Sequence, residues 1–134
     1  MNFLDKLRPL SLLLLRCALG IVFIFHGYPK LFTETQRYVD GFLRMGFPSY
    51  FSYIAGVVEF FGGSLLIAGL FTRIAGTLLA GEMAIAIWRV HLGKGVFAVS
   101  EYQFPLALAV AAFTLVTTGA VVISLDRAIF RGKA

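Results

Sequence analysis

Glu59 stands in an apolar run, Tyr53 to Leu70, that contains no other charge. A carboxylate at that depth must be neutralised, paired or turned toward a watery cavity, so it marks a candidate site. The other groups able to do chemistry are Arg16, His26, Lys30, Glu82, His91 and Glu101. Counting along the helices at 1.5 Å per residue puts Glu59 about 9 Å below Tyr53, and Glu82 about as far below Trp88. Two acids from neighbouring helices therefore share one level. His26, Lys30, Arg89, His91 and Glu101 fall near the same mouth, and Arg16 lies deeper on the first span.

Two readings of this constellation are open. In the first, Arg16 reaches along its helix to pair with Glu59, and the pair fixes helix register. In the second, Arg16, His26, Glu59 and Glu82 bound a polar pocket that opens toward Lys30 and His91. A quinone headgroup needs one or two donors and a proton route, which His, Lys and Glu provide. Haem ligation by His26 and His91 is the weaker use of those side chains, because both sit close to the water boundary. Glu82, His91 and Glu101 lack the tight spacing of a metal site. No flavin, nicotinamide or phosphate-binding motif is present. Cys17 is the only cysteine, so the chain has no thiol pair of its own.

These residues need long apolar helices to hold them. Of 134 residues, 59% are hydrophobic and 14% charged, against roughly 25% charged in soluble domains. The expectation is an all-α, polytopic membrane protein, a single domain over residues 1–134. Its four-helix transmembrane bundle has spans at about 11–28, 53–71, 74–90 and 104–124. Thr72 and Arg73 leave room only for a tight hairpin between spans two and three. In the longest connection, Tyr38, Val39, Phe42, Leu43 and Met45 recur at helical intervals, and Thr33 and Gln36 match a capping box. That predicts an interfacial helix over 34–45, ended by Gly46, Phe47 and Pro48.

Gly20, Gly27, Gly62, Gly63 and Gly76 are the expected close-packing positions, because membrane helices associate where small residues let backbones approach. The ridge Gly76, Ala80, Ala84 is a candidate face for a second copy. The net charge of +5 comes from basic residues spread over the span ends, which argues against a nucleic-acid surface. Lys6, Arg8, Arg73, Arg127, Arg131 and Lys133 outweigh the more dispersed Lys30, Arg37, Arg44, Arg89 and Lys94, so both termini are expected in the cytoplasm. Lys6 and Arg8 before Leu12 to Leu15 imitate a signal peptide, but Arg16 interrupts the run and no cleavage site follows.

The ordered series Arg16, His26-Gly27, Lys30-Leu31, Glu59, Gly62-Gly63, Gly69, Thr72-Arg73, Gly76, Met83, Glu101 and Ser124-Leu125-Asp126 resembles the DoxX family of small four-helix bacterial membrane proteins. The resemblance covers nearly the whole chain, with Glu82 outside it. It implies a four-span bundle in the bacterial cytoplasmic membrane. Some members of that family relate to a quinone-linked thiosulfate oxidoreductase subunit, others to oxidative-stress complexes or to assembly and trafficking of partners.

The first functional expectation is thus a subunit that binds quinone, or another small redox-active lipid, for an oxidoreductase partner. A non-catalytic scaffold or assembly factor is the alternative, with the charges and glycines as bundle glue. A small proton-coupled exporter ranks third: such proteins place their key acid in the first span, where this chain has Arg16.

Overall fold

The computed structural model describes the backbone of residues 2–94, 99–119 and 124–130, and the side chains of 2–89, 102–119 and 124–129. Among the described residues every regular element is a helix, and there is no strand. A short α1 (Phe3–Lys6) leads into α2 (Arg8–Tyr28), which one wide π-type turn (Pro29–Thr33) extends. Then follow α3 (Thr35–Arg44), α4 (Tyr50–Ala68), α5 (Thr72–Lys94), α6 (Val99–Thr118) and α7 (Leu125–Phe130). α2 with its π turn and α4 are each long and apolar enough to cross a membrane. α5 and α6 run for 23 and 20 residues.

The four long helices form the bundle in two tight pairs, α2 on α4 and α5 on α6, joined mainly through α4 and α5. Its core is Leu19, Phe23, Leu66, Ala75, Leu79, Leu108, Ala112 and Leu115. The outward faces are as apolar as the core: Leu14, Ile21 and Phe25 on α2, Phe61 on α4, Ile74, Leu78, Ile85 and Trp88 on α5, and Val110 and Phe113 on α6 are all exposed. A water-soluble bundle keeps large contiguous patches of this kind off its surface, whereas lipid accepts them. The chain is an all-α membrane bundle.

Glycines set the tightest seam. A Cβ on Gly20 would stand 2.6 Å from the Gly63 carbonyl oxygen, and one on Gly63 would stand 2.6 Å from that of Gly20. Gly27 meets the Phe60 nitrogen and the Gly56 oxygen in the same way. Gly62 receives Leu79 of α5. Gly76 lies against the Ala112 carbonyl of α6, so the inner end of the ridge considered for a second copy is already occupied within the chain.

Helix ends depart from the sequence reading where the backbone turns left-handed. α4 stops at Ala68 rather than near residue 71, because Gly69 adopts φ +70° while the Leu70 and Gly69 N–H groups return to the Leu65 and Leu66 carbonyls. α6 ends at Thr118, with Gly119 at φ +71°. The interfacial helix is shorter than predicted by a residue at each end, and its cap differs. Thr33 belongs to the π turn, Glu34 takes the N-cap position without a side-chain cap, and Gln36 donates instead to Asp40 at 2.9 Å. The Arg89 Nε donates to the Met45 carbonyl at 2.9 Å, which ties the end of α3 to α5.

Candidate functional site

Pro29 has no N–H, so the ladder of α2 loses a bond there, and the chain continues through a wider turn closed by the Glu34 N–H on the Pro29 carbonyl at 2.8 Å. This turn brings Lys30 inward, where it is only 8% exposed. Gly56 makes the room: a Cβ there would collide with Leu31 and press on the Lys30 Cβ.

The Lys30 ammonium donates to Glu59 Oε1 at 2.7 Å and to the His26 carbonyl at 3.1 Å, and it stands 4.9 Å from the ring centre of Tyr38 on α3. Glu59 is 3% exposed. An ion pair shielded to this degree has low local screening and depends on good geometry and further hydrogen bonds to offset desolvation. Glu82 of α5 completes the cluster. It interacts electrostatically with both Glu59 and Lys30, its side chain lies within hydrogen-bonding reach of Glu59, and its carboxyl oxygens are shielded. Four elements therefore converge on one polar point: the π turn, α3, α4 and α5.

Arg16 is not part of it. Its Nε donates to the Leu66 carbonyl at 2.8 Å, seven residues beyond Glu59 and so about 10 Å farther along α4. The Arg16–Glu59 pair considered from sequence is replaced by Lys30–Glu59, because the π turn carries a nearer cation into the seam. Arg16, 2% exposed, belongs to a second polar centre at the other end of the bundle, where it is attracted by Asp126 and lies close against Gly69. Asp126, buried at the start of α7, accepts the Phe71 and Thr72 N–H groups. Sequence reasoning did not single out Asp126 as a site residue. The signal available was its place in Ser124-Leu125-Asp126, which closes the family series.

His26 is exposed; its ring lies 5.6 Å from that of Phe104, and its Nδ1 is 2.7 Å from the Val22 carbonyl, which requires the proton on that nitrogen. It joins the cluster through its backbone carbonyl, not its imidazole. The side chains of His91 and Glu101 lie outside the described residues. Tyr38, read from sequence only as part of an apolar face, covers Lys30. Among the described residues no group of three His, Cys, Asp or Glu side chains is arranged to hold a metal.

Comparison with known proteins finds bacterial relatives of this chain, membrane proteins among them. "Putative oxidoreductase CatD" of Bacillus subtilis is 34% identical over 130 residues, covering 97% of this chain and 95% of the relative. An uncharacterised protein of Haemophilus influenzae is 40% identical over 108 residues, 80% of this chain and 75% of the relative. The inner membrane protein YqjF of Escherichia coli is 28% identical over 90 residues, 66% and 67% of the two chains. No solved structure matches the chain. Residues 11–92, which include Arg16, Lys30, Glu59 and Glu82, match the DoxX family, and with a near full-length relative at that identity the chain belongs to this family.

Proposed function

We propose that the chain is a multi-pass subunit of the bacterial cytoplasmic membrane, both termini cytoplasmic, that binds the headgroup of a quinone or similar redox-active lipid for an oxidoreductase partner. The observation that carries this reading is the buried Lys30–Glu59 pair at 2.7 Å with a third ionisable group, Glu82, beside it. A pair that only fixed helix register would need one acid. The second acid adds polarity beyond that need, at a depth where each polar group costs free energy. Quinone carbonyl oxygens accept hydrogen bonds and take up protons when reduced, so they suit a site made of an ammonium and two carboxyl groups. The chain has a single cysteine, so the electrons would come from the partner. A relative named as an oxidoreductase is in keeping with this assignment.

The test is quinone content. The protein is purified in native-lipid discs and extracted quinone is measured against bulk lipid, for the native chain and for Glu59→Gln. Enrichment toward one quinone per chain that the substitution abolishes is the expected result. Quinone at the bulk-lipid level in both samples would refute the reading.

A second reading rests on a separate observation. Phe42, Phe47, Phe51 and Tyr50 form a ladder of ring contacts 5.1–6.0 Å apart at the mouth of the bundle, a surface suited to docking a partner protein. Co-purification of one protein without any enriched lipid would favour a scaffold over a redox subunit.

A further inference from the structure

Charge must balance in a dry volume, because an uncompensated ion there costs several kcal/mol. Among the described residues, the count around Glu82 is one cation against two acids. Glu59 faces it from α4 and Lys30 from the π turn, with Tyr38 of α3 behind Lys30; α6, the other neighbour of α5, brings Tyr102 as its titratable side chain among the described residues. An ammonium has three donors. Those of Lys30 are directed to Glu59 Oε1, to the His26 carbonyl and toward the Tyr38 ring, which leaves none for Glu82. Both Glu82 oxygens are shielded, and the side chain within hydrogen-bonding reach of them is Glu59, a contact between two carboxyl groups that needs a proton on one of them.

We propose that Glu82 holds the carboxyl proton of this cluster, shared with Glu59 in the resting protein, and, resting on the function proposed above, turns it as a hydrogen bond to a carbonyl oxygen of the bound redox lipid. The ligand class is then a lipid with an acceptor oxygen on its headgroup, such as a 1,4-quinone. Lys30 and Glu59 act as a fixed pair whose charges cancel, which leaves Glu82 without a cation of its own. Glu82 is the side chain that meets the ligand.

Infrared spectroscopy of the full chain in lipid discs at neutral pH tests this, because a protonated carboxyl absorbs apart from a carboxylate. The native protein is expected to show one protonated-carboxyl band that shifts in heavy water. Glu82→Gln removes it. Glu59→Gln also removes it, since Lys30 is then balanced by Glu82, and Lys30→Met doubles it because both acids must take protons. The amide band of the same spectra reports that each variant is folded. No native band, a band that survives Glu82→Gln, or an unchanged band in Lys30→Met would overturn the assignment. Adding a short-chain 1,4-benzoquinone is expected to shift the native band. A band that follows the substitutions but ignores benzoquinone would uphold the Glu82 proton and sink the quinone reading.

Discussion

The carboxylate of Asp126 accepts the backbone N–H of Thr72 at 2.9 Å with one oxygen and that of Phe71 at 2.6 Å with the other, while its own N–H donates to the Gly69 carbonyl at 2.8 Å. The start of α5 has unsatisfied N–H groups and the positive end of a helix dipole, and Asp126 answers both from 54 residues away. It also compensates Arg16. One side chain thus joins α7 to the α4–α5 turn and to α2.

Asp126→Ala is expected to lower stability by about 2–4 kcal/mol, since it strands two N–H groups and weakens the compensation of a buried guanidinium. Asp126→Asn keeps one acceptor and should lose roughly half as much. Thermal unfolding in detergent, followed by loss of helical signal, checks the order native, Asn, Ala.

Lys30 and Glu59 should be coupled. In a double-mutant cycle of Lys30→Met and Glu59→Gln, the interaction term is expected at about 1–3 kcal/mol, with the double variant more stable than the sum of the single losses implies. Additive losses would mean that the two groups do not stabilise one another.

Gly20 and Gly81 separate packing from composition. Gly20→Ala drives a methyl group into the Gly63 carbonyl and the Ile67 side chain, and the α2–α4 seam must open at a cost of about 1–3 kcal/mol. At Gly81 nothing lies within 4 Å. Gly81→Ala should leave stability unchanged or raise it by up to about 1 kcal/mol through helix propensity. The same thermal assay compares them.

Arg89→Ala removes the donor that holds the Met45 carbonyl. Amide exchange at Met45, Gly46 and Phe47, whose N–H groups return to Gly41, Phe42 and Leu43, should then quicken about threefold to tenfold, the equivalent of one partly exposed hydrogen bond. Exchange in the middle of α4 should not change.

The sequence by itself determined the membrane class, the four long helices, the short helix between the first two, and the presence of two acids at one depth. Each of these depends on composition and on the 3.6-residue period, which any stretch of chain reveals without its neighbours. Glycine positions such as Gly20, Gly63 and Gly76 were legible for the same reason: in a membrane helix a small residue marks close approach. Tertiary structure alone decided which cation meets Glu59. Period and rise give a side chain its face and depth, but not which neighbouring helix that face meets, and the turn caused by Pro29 changed the direction of Lys30. Likewise, nothing local to Asp126 reveals that the N–H groups it serves belong to Phe71 and Thr72. Charges in a bundle find partners across sequence distance because desolvation makes any nearer solution without a partner more costly.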